Sequence, residues 1–580
     1  MKKYALLIVF VLTIIACLYA YFKMLLPLDV FLWDEAHHGF FGMQIYKDLR
    51  AGDWGMFWKH TNNQALWMPL HSWLNGIFLY LFGFSYVSAR LSSLFFFFIC
   101  AFLMYFIGYE MSKEKGWIIG LISVSFYLTS PLLLNMATVN MQEMLGVFVL
   151  LLLVYFMFRF MYVENKWKYL FIGFLIGVAY WSKVNFAVQI IFGLGLFQLS
   201  LLWGINKTAP VVKEVMNKKA LKKLQKAALN KKNNLVEWLV NNCYIMAGFL
   251  PLFVLWWLTP PFARKYALGV QFRTTGMGDA FLFPKVNFFL RVVFYLQSLI
   301  SSYTFSFWIG LGFFVALGMS FYYLKDKKVR LALFMILANL LIASLVAGIQ
   351  ERYISTAAPL VFTLLAYFIV IYAPKLKELK KTTVAIAIIV FLAVNIVSDS
   401  LGFHRYNKEV ANRSILYCLY KDSHNKFSPP FLFGLVKRPA FTYPMDKIEK
   451  YNDFKATPKS TLNDVMNFFS SNIDHSKSIS TLISYDDLAP YVFYWHFHSW
   501  GARVFTANDF PYVKRYFWAS DYFLDLQPAP DSPYYTNWLE KRWNKFAPLL
   551  LRDGYIKLVK AKEFSDLGLT ANIYKRLKKI

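Results

Sequence analysis

Apolar stretches of about 20 residues, the length that crosses a bilayer, recur along the chain between short polar or basic connections. They run over 4–26, 85–109, 116–133, 141–160, 168–182, 184–204, 240–258, 304–324, 329–348, 353–373 and 382–399. The pattern predicts about eleven transmembrane helices. Two further stretches do not fit that length. Pro69 to Phe82 is apolar but too short to span and is bounded by Pro69 and Gly83, so it reads as a helix lying in the interface. The segment 285–302 is interrupted by Lys285, Asn287, Arg291 and Gln297 and reads the same way.

With those two placed on the surface, the basic connections fall on one side. They are Lys2-Lys3, Lys113 to Lys115, Arg159 to Lys168, the long 205–239 loop, Lys325 to Arg330 and Lys375 to Lys381. The 207–232 stretch alone holds nine Lys and one Glu. Short loops rich in Lys and Arg stay in the cytoplasm, so this side is expected to be cytoplasmic. The loops around 134–141, 259–303 and 348–352 then face outward, together with the tail from about Ser400.

Composition agrees with this reading. Of 580 residues, 58% are hydrophobic and 16% charged, against about 25% charged in a soluble domain. The net charge of +29 lies in the basic loops and comes with no RNA- or DNA-binding module, so no nucleic-acid partner is expected. Cys17, Cys100 and Cys243 lie in or beside apolar spans, which argues against a disulfide framework for the four cysteines. The tail loses hydrophobicity and gains Asn, Asp, Ser and Pro. The chain is thus expected to divide into a transmembrane domain, 1–400, and an extracytoplasmic soluble domain, 401–580, of α+β or α/β type. Within the tail, Ser478 to Ser484 and Gly554 to Val559 read as strands and Trp538 to Leu551 as a helix. His496-Phe497-His498 alternates as a strand would.

Candidate chemistry collects on the outward side. Phe31 to Phe40, FLWDEAHHGF, follows the first span and sets Asp34 and Glu35 beside His37 and His38. Ionisable groups at a bilayer boundary are costly to desolvate and mark functional sites. Glu143 opens the fourth span, Lys183 closes the fifth, and Glu351, Arg352 and Tyr353 open the tenth. Carboxylates and cations gathered on one face suit a site that activates a hydroxyl and holds a negatively charged group. Adjacent His37 and His38 cannot easily share one metal ion. Asp34 with the distant Glu143 could hold Mg²⁺ or Mn²⁺ through oxygen, although no cofactor is required. There is no phosphate-cradling Gly loop, no Gly-x-Ser-x-Gly and no His-Glu-x-x-His, so ATP-driven pumping and the common hydrolases lack support.

The order of short motifs resembles a known family. Trp33-Asp34-Glu35 is followed by Met68-Pro69-Leu70-His71-Ser72-Trp73-Leu74, then Ser88-Ala89-Arg90-Leu91-Ser92, Glu143, Ser182-Lys183, Arg352-Tyr353 and Pro359. Over about residues 1–400 this looks like the GT-C membrane glycosyltransferases, in the branch of the protein O-mannosyltransferases and the lipid A aminoarabinose transferase. The resemblance implies many helices with surface helices in the first outer loop. It also implies sugar transfer from a polyprenyl-phosphate carrier to a protein, lipid A or cell-envelope glycan acceptor on the outer face of the inner or plasma membrane. By position, Asp34 would be the base or orient the acceptor, Glu35 would assist it, and Glu143 would be the second-loop carboxylate. Lys183, Arg352 and Tyr353 would hold the carrier phosphate. Members often carry Lys or Pro where Met68 stands here, and His71 or Lys59 would then stand in for a phosphate or sugar contact, with His37 and His38 nearby. A single displacement would invert the anomeric centre. The alternatives are a transporter or flippase of lipid-linked sugars, which would place charges at the bilayer midplane, and a non-catalytic scaffold for the tail.

Overall fold

The fold is a computed structural model. It describes residues 2–26, 31, 33–64, 68–163, 165–207, 218–258, scattered positions between 288 and 304, 307–345 and 351–372. In the tail it describes residues 460–483 apart from 461 and 482, four positions between 492 and 497, and 503–505, 518–528 and 538–578.

The chain opens with helix α1, Ala5–Tyr19, which continues through a π-helical turn, Ala20–Leu25. Three helices follow before the next long span: α2, Trp33–Ala51; α3, Trp54–Asn63; and α4, Leu70–Phe82. Asp53 caps α3 by accepting a hydrogen bond from the Met56 N–H at 2.9 Å, and Ser85 caps α5, Tyr86–Met111, by accepting from the Ser88 N–H at 3.0 Å. The predicted interfacial helix at Pro69 to Phe82 is therefore α4. It packs along α2 through two close approaches. A Cβ at Gly42 would stand 2.6 Å from the Asn75 Cβ, and one at Gly76 would stand 2.5 Å from the Ile45 Cγ2. Only glycine lets the two helices approach this closely.

The bundle continues with α6, Gly116–Leu128; α7, Pro131–Thr138; α8, Glu143–Arg159; α9, Lys166–Ser182; α10, Val184–Lys207; and α11, Lys218–Leu258. After it come α12, Phe307–Tyr322; α13, Lys327–Leu345; a 3₁₀ turn, Glu351–Ile354; and α14, Ala358–Tyr372. Ten of the eleven expected spans thus fall on helices, and 382–399 lies outside the described residues. By length and apolarity five described helices qualify as complete crossings, or six if a bent pair counts as one span. The chain is an integral membrane protein.

Two expectations need correction. The stretch 116–133 is not one continuous helix, because α6 and α7 meet at 65°. Pro131 starts α7 and cannot donate the hydrogen bond that would continue α6. The expected outer loop at 134–141 is accordingly occupied by the end of α7, whose residues are all buried. The basic 205–239 loop is also shorter than it reads. Rich in Lys, Leu and Ala, which favour helix, it is helical from Lys218 onward as the first part of α11. Of the interfacial segment 285–302, only scattered positions are described.

The tail forms α15, Leu462–Ser471; β1, Ser478–Thr481; β2, Arg503–Phe505; β3, Tyr522–Pro528; α16, Trp538–Arg552; β4, Ile556–Phe564; and β5, Leu569–Arg576. The sheet order is β2-β1-β3-β5-β4, parallel across β2, β1 and β3 and antiparallel across β3, β5 and β4. Side chains alternate between the two faces. Phe523 and Tyr574 pack with Trp543 of α16, whereas Leu524, Leu526 and Ile573 face α15. The expected helix and both expected strands are present. The strand reading of 496–498 is corrected at Phe497, which is helical and stacks on Phe493 at 6.3 Å, the i, i+4 spacing of a helix.

Candidate active site

Two charged groups meet at one end of the bundle. The first is a buried ion pair between the Arg90 guanidinium on α5 and the Glu35 carboxylate in the first turn of α2. Arg90 Nε donates to Glu35 Oε1 at 2.9 Å and Nη2 donates to Oε2 at 3.0 Å, and both side chains are fully buried. The Asn140 N–H donates to Glu35 Oε1 at 2.7 Å. Asn75 Nδ2 of α4 donates to the Asn140 side-chain oxygen at 2.7 Å, and Ser92 Oγ donates to the Asn75 side-chain oxygen at 2.9 Å. One polar chain thus ties α2, α4, α5 and the turn before α8 together. Both oxygens of Glu35 are engaged in this way, and the ion pair braces the start of α2. The backbone of Asp34 lies one residue earlier in the same turn, and its side chain lies outside the described residues.

The second group sits where three elements end. Glu143 starts α8, Lys183 caps the C-terminus of α9 in extended conformation, and Arg352 lies in the 3₁₀ turn before α14. Lys183 Nζ donates to Glu143 Oε1 at 2.9 Å, and Arg352 Nε approaches the same oxygen at 3.7 Å. Glu143 Oε2 is buried with no hydrogen-bond partner among the described residues. The Tyr353 ring lies under both cations, 5.4 Å from Lys183 Nζ and 5.9 Å from the Arg352 guanidinium. Glu143, Lys183, Arg352, Tyr353, Asn185 and Gln189 line a small pocket here. Behind it, Asn339 Nδ2 donates to Gln189 Oε1 at 2.9 Å and to Thr356 Oγ1, fixing the segment that follows Arg352.

The histidines join the two groups. His38 and His71 meet edge to face at 4.8 Å, His37 lies 6.4 Å from His38, and Asn75 Nδ2 lies 3.5 Å from His71 Nε2. Burial pushes His38 well below the ordinary imidazole range, and the positive charges of Lys183 and Arg352 add to the effect. Burial likewise lowers His71 to about 4, partly opposed by the Glu143 carboxylate. Both rings are therefore neutral at pH 7. The consequence for stability has a definite sign. Between pH 6.5 and 4 the unfolded chain takes up a proton at His71 that the folded chain refuses, so stability falls as pH drops through that window. The fall from the ordinary imidazole value to about 4 corresponds to about 3 kcal/mol. His71→Gln is expected to flatten the acid limb of the thermal midpoint measured against pH, while an unchanged limb would mean that His71 is not buried in this way.

The expected site residues are therefore partly assembled. Glu143, Lys183, Arg352 and Tyr353 converge, and His38 and His71 lie within electrostatic reach of them. Lys59 is exposed on α3, outside the buried group. Among the described residues no three His, Cys, Asp or Glu side chains are arranged to hold a metal ion. Sequence reasoning left Arg90, Asn140 and Asn75 without a role. Arg90 carried a usable signal, because a cation within an apolar helix needs a counter-ion if it is buried.

The fold has solved counterparts. ArnT from Cupriavidus metallidurans bound to undecaprenyl phosphate superposes with a TM-score of 0.55 at 12% identity, over 97% of this chain and 97% of that one. Its apo state matches at 0.52 and 13% identity, with the same coverage. The chain has the GT-C fold. Within the GT-C fold, residues 63–211 match the family described as dolichyl-phosphate-mannose-protein mannosyltransferase. That stretch holds α4 to α10 and both Glu143 and Lys183. The archaeal oligosaccharyltransferase AglB from Archaeoglobus fulgidus, in complex with an inhibitory peptide and a dolichol-phosphate, has a TM-score of 0.44 at 10% identity over 88% of this chain and 68% of that one. No curated protein sequence matches the chain.

Proposed function

We propose that the chain is an inverting glycosyltransferase that moves a sugar from a polyprenyl-phosphate carrier to an acceptor on the outer face of the membrane. The observation that carries this reading is the Lys183–Glu143–Arg352 cluster over Tyr353, on a GT-C fold. Two cations beside a pocket at helix ends form a receptor for a phosphate monoester, whose charge must be stabilised as the sugar leaves. In the proposed step, Asp34 takes the proton from the acceptor hydroxyl or amine, and the acceptor atom bonds to the anomeric carbon from the face opposite the phosphate. The carbon–oxygen bond to the carrier breaks, and polyprenyl phosphate leaves against Lys183 and Arg352. Glu143 holds the two cations together before the carrier arrives. The neutral His38 and His71 rings would lie beside the sugar without competing for the phosphate. The match of residues 63–211 to the mannosyltransferase family supports the reading.

The flippase reading would place charges at the bilayer midplane. Glu143, Lys183 and Arg352 lie instead at element ends. The basic 207–232 stretch supports a cytoplasmic N-terminus and an extracytoplasmic tail. Binding of undecaprenyl phosphate to the purified protein in nanodiscs tests the phosphate site. Lys183→Gln and Arg352→Gln are each expected to weaken binding by about 10- to 100-fold, the worth of one charge-assisted contact. Unchanged affinity in both variants would refute the assignment.

A further inference from the structure

The tail and the Asp34 segment share one apolar core. Phe31, Ala36 and Met43 from the start of the outer region, with Leu79 of α4 and Ala89 of α5, pack with Val465, Phe469, Ile479 and Leu524 of the tail in a cluster separate from that of the membrane bundle. At its edge stands Trp495, nearly fully buried. Its ring stacks on Phe84 at 4.4 Å with the planes 18° apart, meets Phe31 edge-on at 4.7 Å, and lies 5.5 Å from Tyr86.

Phe31 is boxed in on every side that the structure describes. Tyr86 meets it edge-on at 4.7 Å, and the Arg90 guanidinium lies over its face at 5.2 Å. Its ring also lies against Gly39, where a Cβ would stand 2.2 Å away. Phe31 is three residues before Asp34 and four before Glu35, and the same Arg90 grips both Phe31 and Glu35. Among the described residues, Trp495 is the aromatic wall of this box that comes from the tail.

We propose that Trp495 is a positioning residue, and that through it the C-terminal domain holds the Phe31–Glu35 segment in its working place. The domain is then a working part of the site rather than an appendage that the membrane bundle displays. The link to catalysis rests on the transferase reading above, but the link to the segment does not. An aromatic contact of this kind restricts where the turn carrying Asp34 can sit, and a displacement of about 1 Å can cost about 100-fold in rate.

The test uses the full-length protein in nanodiscs. For Trp495→Ala, hydrogen exchange over residues 31–42 is expected to rise at least tenfold, while exchange over β3 and β5 stays as in the wild type. In cells the variant is expected to accumulate the lipid-linked sugar that accumulates in Asp34→Asn cells. Its affinity for undecaprenyl phosphate should stay within twofold, a split that general unfolding would not give. If β3 and β5 also lose protection, Trp495→Leu, which keeps apolar volume in the core, decides between the outcomes. Faster exchange confined to 31–42 supports the brace, and wild-type exchange there overturns it. If Asp34→Asn leaves every lipid-linked sugar unchanged, Asp34 is not the base and the link to catalysis fails, while the exchange data still judge the brace.

Discussion

Cells carrying Asp34→Asn are expected to lose transfer by about 10²- to 10⁴-fold, the contribution of a well-placed general base. Mass spectrometry of polyprenyl-phosphate sugars and outer-surface glycans reads this directly. One lipid-linked sugar should accumulate, and one glycan should lose that same sugar. The pair of changes would identify donor and acceptor together. The substitution keeps size and hydrogen-bonding capacity, so the protein should remain in the membrane at its normal level. If neither pool changes at normal protein level, Asp34 is not the base.

The second large effect concerns folding. Glu35→Gln leaves the Arg90 guanidinium buried beside a neutral amide, and breaking one side of a buried pair costs about 3–5 kcal/mol. Arg90→Met should cost a similar amount, because the carboxylate of Glu35 would keep only the Asn140 N–H among the donors described above. The double variant Glu35→Gln/Arg90→Met should be more stable than either single one, since neither charge is then stranded. Thermal unfolding in detergent separates the cases. If the single variants melt with the wild type, the pair is not holding α2 against α5.

The membrane architecture was legible because its signal is local. A run of some 20 apolar residues needs no partner to be recognised, and ten such runs became helices. Pro131 shows the limit of that signal. It lies inside an apolar run, where composition hides it, yet its missing N–H breaks the span. The carboxylates and cations of the site could also be read singly, because each stands at the end of an apolar run. Their pairing could not. Lys183 meets Glu143 across 40 positions, and Asn140 meets Glu35 across 105. No periodicity records contacts of that range. Trp495 was harder still, since an aromatic residue in the tail gives no hint that its neighbours belong to the segment after the first helix.

The short helices around the site set a condition on the surrounding lipid. Seventeen residues, the length of α8 and of α9, rise about 26 Å, and the 13 of α6 rise about 20 Å, against about 30 Å of hydrocarbon. A bilayer meeting such helices thins locally at a modest energetic cost per ångström. Thinning brings the headgroup layer down towards Glu143, Lys183 and Arg352 at the ends of the bundle. A phosphate on a long isoprenoid would then reach them while its chain stays in hydrocarbon and its head stays close to water. Turnover should therefore depend on acyl-chain length, falling as the membrane is thickened from 14-carbon to 22-carbon lipids even though no residue has changed.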